Sequence, residues 1–436
     1  MDKLNKSRKL YEMAKRVIPG GLHSNARWID PHPIYFNKGE GSKIWDIDGN
    51  KYIDCMVNFG ALILGHGDPD VNKAVKRGLK IGLTAAVDTE LSFEVARKLK
   101  DISPCAEMVK FASTGTEAVM HAIMIARGYT KKERIIKAEG NYHGWYDYVN
   151  CSYKYPPEKW CDIPVPFPSS EGLCRDLLEK TLVIPWNDLE SVDRIIKQYK
   201  NEIAAVIIEP VNHNIGCALP RKGYLEGVRR LTRENDILLI FDEVITGFRA
   251  TPGGAQEFYG VTPDLTTYSK AIANGFTLSA VVGKKDIMEI TDPSHKRVSF
   301  GGTFNGHQIS LAAALVTLDK LKTGKIQVHL NRLTEWLIKD FNSIADNFGI
   351  KAKLQGFGGQ FQVYFTDFEV TDYRTAYTTN RERYQEFRNG MIEGNILWSP
   401  DCFYHHGITA SHSNKDIQKI LTVAEKVLKG MKRKKV

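Results

Sequence analysis

The sequence predicts an α/β protein: a largely parallel sheet covered by helices on both faces, with a smaller α+β domain made from both chain ends. Two observations carry this. Between about residues 70 and 285, short apolar runs alternate with helix-like stretches. The runs are apolar at consecutive positions more than at every second one, as in strands buried on both faces. After about residue 320 the pattern changes to long helices around one two-strand stretch, KAKLQGFGGQFQVYF (351–365).

The first element is a charged, amphipathic helix, about 4–17, that ends at IPGG. A strand-and-turn pattern, PIYFNKGEGSKIWDIDGNKYIDC, has turn signals at Gly39-Glu40-Gly41 and Asp48-Gly49-Asn50. The strand runs are MVKFAS (108–113), RIIKAEG (134–140), AAVIIEP (204–210), ILLIFDEV (237–244) and LSAVVGKK (278–285). Residues 151–184 are rich in proline and aromatics and obey neither period, so they read as a long loop, ordered by its aromatics. The last helix opens on a capping box, Ser413 to Asp416. The expected divisions are 1–57, the N-terminal part of the small domain; 58–318, the large domain; and 319–436, its C-terminal part.

Composition narrows the class. The 436 residues are 42% hydrophobic and 25% charged, ordinary for a soluble globular protein. No stretch approaches the roughly 18 apolar residues of a membrane span, and no apolar leader opens the chain. The net charge of +9 is spread among interspersed charges, and the one basic run, KGMKRKKV (429–436), reads as a solvated helix end. Neither a nucleic-acid nor a membrane partner is expected. Seven scattered cysteines without a CxxC pair fit reduced thiols, not a disulfide framework or metal site, and so a cytoplasmic protein.

The chemistry starts at ILLIFDEVITGFR (237–249), where an apolar strand runs into Asp242 and Glu243. A buried, unpaired carboxylate costs several kcal/mol, so the acid reaches water or meets a cation. In FASTGTEAVMHAIMIARG (111–128), a strand gives way to Ser113-Thr114-Gly115-Thr116 and a helix. Free N–H groups and the dipole make such a start an anion site, although a plain N-cap uses the same residues. Lys270 lies among small and apolar residues in PDLTTYSKAIANG. Tyr142 and His143 come after one strand, and Glu209, Asn212 and Asn214 after another. Ligands of doubly wound sheets bind beyond the carboxyl ends of the strands. A phosphate cradle, a buried acid, a stacking aromatic and a lysine suit pyridoxal phosphate: the lysine forms a Schiff base and the acid pairs with the pyridine nitrogen.

With these residues in view, the chain resembles the class III aminotransferases, most closely the glutamate-1-semialdehyde aminomutase-like branch. The resemblance spans nearly the whole chain, through DIDGNKYIDC, LGHGDP, TELSFEVARKL, EGNYHG, IIEPV, GVTPDLTTYSKAIANG and GGTFNG. It implies the type I fold of pyridoxal phosphate enzymes and a homodimer with shared active sites. It also implies roles. Lys270 is the Schiff-base lysine and proton shuttle, Asp242 the pyridine-nitrogen partner, and Tyr142 the stacking ring. Ser113, Gly115 and Thr116 form the phosphate turn, and Thr303 reaches the phosphate of the other subunit. His143, Glu209 and Val244 complete the cofactor site. Asn214 matches an amide near the cofactor's phenolic oxygen and Asn212 an equivalent glutamine, so the choice between them stays open. Ser24 and Arg27 of GGLHSNAR match substrate contacts, Arg27 as a carboxylate clamp; a surface or inter-domain salt bridge is its other reading.

Departures surround the substrate. Where the aminomutases carry an acid near the C-terminus, this chain has Tyr404, with His405 and His406 next to it. Thr277, Ser279, His307 and Gln308 replace other family residues, and the 151–184 loop is unusually aromatic. These features favour an aminotransferase that moves an amino group from an amino acid, glutamate first among the donors, to a keto or aldehyde acceptor such as a sugar or specialised metabolite. The alternative is an intramolecular aminomutase, or an amino-acid racemase, on the same scaffold. A basic nucleic-acid-binding or scaffold protein that has lost catalysis is opposed by the presence of both Lys270 and Asp242. A nicotinamide dehydrogenase is opposed by the lack of a G-x-G-x-x-G after a strand.

Overall fold

A computed structural model describes residues 4–433. The last three residues of the basic run 429–436 lie outside the described residues. The central element is a seven-stranded sheet. Its spatial order is Met108–Ala112, Ser279–Gly283, Leu265–Tyr268, Leu238–Glu243, Ile203–Ile208, Arg134–Ala138 and Thr181–Ile184. Pairing is parallel from Leu265–Tyr268 through Thr181–Ile184. Only Ser279–Gly283 runs against its two neighbours. Two reversals restore direction, so Met108–Ala112 points the same way as the parallel set.

All five expected strand runs form strands. Every residue of Ile203–Ile208 and of Leu238–Glu243 is buried, which is why these runs are apolar at consecutive positions. Two further strands were not expected: Leu265–Tyr268, and Thr181–Ile184 at the end of the stretch read as a loop. The helix expected over 4–17 forms over Asn5–Ala14.

The chain ends meet in a four-stranded sheet, where Ile396–Leu397 pairs parallel with Lys51–Asp54, Ile396 opposite Ile53. A second small sheet joins the hairpin Lys353–Phe357 and Gln360–Tyr364 to His406–Gly407. The long helices Lys325–Asn347, Arg381–Glu393 and Asn414–Arg433 pack around these strands. The Ser413–Asp416 box forms: Asp416 Oδ2 accepts from Ser413 N at 2.9 Å and from Ser413 Oγ at 3.0 Å. No described helix is long and apolar enough to cross a membrane.

Candidate active site

Because all strands of the central sheet but Ser279–Gly283 point one way, the turns at their carboxyl ends gather at one edge. The helix Gly115–Thr130 comes after Met108–Ala112, the Tyr142 turn after Arg134–Ala138, Glu209 after Ile203–Ile208, and Lys270 after Leu265–Tyr268. Asp242 is the penultimate residue of its strand. Together they line a cavity of about 190 Å³, with Gly115, Thr116, His143, Asn214 and Val244 in the same wall.

Asp242 and Glu243 divide by the two-residue period of a strand. Glu243 faces away from the cavity, where it accepts from the N–H groups of Ala255 at 2.6 Å and Gln256 at 3.1 Å. Asp242 faces the cavity. Its Oδ2 lies 2.7 Å from His143 Nδ1, and its Oδ1 accepts from Thr267 Oγ1 at 3.2 Å and Val244 N at 3.1 Å. Burial lowers the pKa of His143 against the pull of Asp242, which favours the neutral ring.

Lys270 stands in a left-handed backbone conformation, φ +47°. A non-glycine residue held there costs about 1–3 kcal/mol and persists where its surroundings dictate it. Among the described residues its ammonium has no hydrogen bond or ion pair. Burial pulls its pKa down to about 8, opposed by Glu209 and Asp242. Burial, and then the charge of Asp242, pushes Glu209 up to about 8. Glu209 organises the wall: Oε1 accepts from Tyr142 N at 2.9 Å and Asn214 Nδ2 at 2.8 Å, and Oε2 from His213 N at 3.1 Å. Lys137, wholly buried, holds the Tyr142 turn from behind by donating to the carbonyls of Asn141 at 2.8 Å and Cys151 at 2.5 Å.

At the phosphate turn the structure refines the expectation. The N–H groups of Ser113 and Thr114 are spent on Glu117 Oε2, at 3.0 and 2.7 Å, in a capping box. Those of Gly115 and Thr116 open the helix, where no intrahelical acceptor exists, and remain for an anion. Gly144, at φ +88°, lies against this turn: a Cβ there would fall 2.4 Å from Thr116 Oγ1. An anion cradle, a buried acid beside a neutral histidine, an aromatic side and an unpaired lysine form a donor set that fits pyridoxal phosphate.

Several expected residues stand elsewhere. Of the two amides, Asn214 lines the cavity, while Asn212 is buried with its Nδ2 3.4 Å from the Glu139 carbonyl. Arg27 is exposed, and no carboxylate among the described residues pairs with it. Neither it nor Ser24 lines the cavity. Thr303 is exposed in the segment after Phe300 and also lies outside the lining. Thr267 was missed; its signal is register, since it pairs directly with Asp242. Gly144, a plain loop glycine in the sequence, shows its contact only in three dimensions.

Comparison with known proteins gives a family and a fold. A family model described as aminotransferase class-III matches residues 24–371. Glutamate-1-semialdehyde 2,1-aminomutase of Methanothermobacter thermautotrophicus is 40% identical over 427 residues, 98% of this chain and 100% of that protein. An omega-transaminase from Sphaerobacter thermophilus superposes with a TM-score of 0.91 at 32% identity, covering 98% of this chain and 99% of that one. A solved transaminase with PLP bound gives a TM-score of 0.88 at 27% identity, covering 99% and 98%.

Proposed function

The chain belongs to the class-III aminotransferases, enzymes whose cofactor is pyridoxal phosphate, and from that premise we propose that it transfers an amino group from an amino acid donor to a separate keto or aldehyde acceptor. The observation that carries the reading is Lys270, unpaired and poised near neutrality beside Asp242 in one cavity.

When bound, the cofactor would supply an aldehyde carbon that can accept the amino group and a ring that can take up the electron pair a departing proton leaves behind. Asp242, oriented by His143, would pair with the ring nitrogen and favour its cationic form. Gly115 and Thr116 hold the phosphate through their N–H groups. Tyr142 covers the ring. Lys270 would hold the cofactor through its aldehyde carbon, and once released its amine would be placed to take a proton from the donor's Cα and return it to the carbon that held the lysine. Thr303 of a second copy completes the phosphate site, making the working unit a homodimer.

A second reading, intramolecular exchange as in an aminomutase, is favoured by the 40% identity over the full length of a protein of that name. Separate substrates are supported by Tyr404, which the resemblance places where the aminomutases have an acid: that exchange passes through a diamino intermediate, whose second amino group an acid could pair with. The test is to load the enzyme with an amino donor, remove the donor, and supply carbonyl compounds. Transfer to an external carbonyl is expected. Isomerisation of glutamate-1-semialdehyde with no transfer to any separate carbonyl would establish the second reading instead.

A further inference from the structure

Beside the Lys270 cavity stands an aromatic wall that the cofactor does not require. Tyr142 lines the cavity, and the ring of Tyr153 lies 4.9 Å from it. Lys154 Nζ sits 4.0 Å over the ring of Tyr404, and Phe59 meets that ring edge-on at 5.5 Å. Tyr142, Tyr153 and Tyr404 are all partly exposed, and none of their hydroxyls makes a hydrogen bond among the described residues. One ammonium joins two of the rings, since Lys154 Nζ also lies 5.2 Å from the centroid of Tyr153.

The wall is built rather than incidental. Phe59 is presented by three consecutive non-glycine residues in left-handed backbone, Val57, Asn58 and Phe59, at φ +39°, +50° and +55°. A β-branched residue there is a true outlier, and such strain gathers at functional sites. The segment carrying Tyr153 and Lys154 is clamped just beyond them. The Tyr373 hydroxyl bonds both the N–H and the carbonyl of Tyr155 at 2.7 Å, and the two rings stack at 5.5 Å, 4° from parallel.

Its chemistry is one-sided. The ammonium only donates, the phenol hydroxyls donate or accept, and no uncommitted carboxylate stands with them. The carboxylate beside them, Asp401, is committed to Lys154 at 3.6 Å and to the Phe403 N–H at 2.9 Å. Glu209 is committed to the Tyr142 turn and Asn214. A substrate's second ammonium group would meet Lys154 and no free acid, whereas oxygen acceptors would meet free phenol hydroxyls and an ammonium held by one long ion pair.

We propose that Tyr153, Lys154 and Tyr404 form the acceptor subsite, and that it selects a carbonyl compound whose far end is oxygen-rich, bearing hydroxyls or a carboxylate, over one bearing an amino group. This rests on the amino-transfer reading above. The holoenzyme would be charged with an amino donor and offered four aldehydes of matched length: alkyl, polyhydroxylated, carboxylated and amino-terminated. The expected order places both oxygen-rich compounds at least about tenfold above the alkyl one in kcat/KM, and the amino-terminated one below it. Tyr404→Phe and Tyr153→Phe should each lower the preference for the hydroxylated aldehyde over the alkyl one about two- to tenfold, and Lys154→Met that for the carboxylated one by about tenfold or more. These arms tell the two oxygen groups apart. Wild-type preference near one, or preference unmoved by all three variants, overturns the subsite. Preference for the amino-terminated aldehyde reverses it. If no aldehyde takes the amino group at all, it is the amino-transfer reading that has failed.

Discussion

His143 Nδ1 stands 2.7 Å from Asp242 Oδ2, with both side chains closed off from solvent. Thr267 Oγ1 and the Val244 N–H donate to the other oxygen of the same carboxylate, so Asp242 is held in the cavity wall from three sides. Asp242→Asn is therefore expected to lower kcat about a hundredfold or more, with the folded state kept as judged by circular dichroism. His143→Asn, which weakens one strong hydrogen bond, should cost about tenfold. Steady-state kinetics on the two variants check the order.

Lys270 gives a pH signature. Its pKa is about 8 in the folded chain against an ordinary value of 10.5. The nucleophile is the neutral amine, so the rate at which apoenzyme takes up pyridoxal phosphate should rise about tenfold per pH unit below 8 and level off above it. Linkage has the same sign. Between about 8 and 10.5 the unfolded chain binds the extra proton, so apoenzyme stability rises with pH across that window and the burial cost is complete below it. Lys270→Met should remove both dependences, as stopped-flow absorbance and denaturation at several pH values would read.

Gly144 is a steric test of the phosphate turn. Alanine there meets Thr116 backbone, with Cα 2.8 Å from the new Cβ, in a conformation that L residues rarely adopt. Gly144→Ala should weaken pyridoxal phosphate binding by at least about tenfold. Gly115→Ala should do less, since its Cβ would lie 3.2 Å from two Val244 methyls that have some room to yield. Equilibrium titration of the cofactor compares them.

The latch behind the aromatic wall joins three parts of the chain. Glu139, 1% exposed, bonds the Tyr155 hydroxyl and accepts from Arg374 Nε at 3.2 Å, while Arg374 also donates to the Cys161 carbonyl at 2.5 Å. Burial raises the Glu139 pKa, so removing its cation leaves an acid that takes up a proton more readily. Arg374→Ala should cost about 1–3 kcal/mol, at the low end because the arginine is partly exposed. It should also speed proteolysis within residues 156–174, as limited digestion would show.

Thr303 tests the shared site. Lys270→Ala and Thr303→Ala chains, each impaired alone, should regain activity when mixed and reassembled. One site of the hybrid then has both an intact lysine and an intact threonine from the opposite chain. Activity of the mixture equal to the mean of its parts would place Thr303 in its own subunit's chemistry.

The strands that position the site could be read from the sequence because burial on both faces makes their apolar runs continuous. Leu265–Tyr268 could not be. Its Thr266 and Thr267 are buried polar residues paired with Gln256 and Asp242, so no hydrophobic pattern marks it. Thr181–Ile184 was hidden by the proline-rich stretch before it. Lys270 and Asp242 were legible because a lysine among small residues and an acid ending an apolar strand are locally costly. The wall of Phe59, Tyr153 and Tyr404 was not, because its members lie far apart in sequence and only the clamp at Tyr373 and the left-handed turn at Val57–Phe59 bring them together.

The central claim is that Lys270 holds pyridoxal phosphate and passes amino groups through it. The most direct measurement is the visible spectrum of the protein incubated with pyridoxal phosphate and freed of excess, beside Lys270→Ala, on adding an amino donor and then a carbonyl acceptor. The account predicts a yellow band in the wild type, bleached by the donor and restored by the acceptor, with no such cycle in the variant. A wild-type protein that stays colourless, or a variant that cycles as the wild type does, would contradict it.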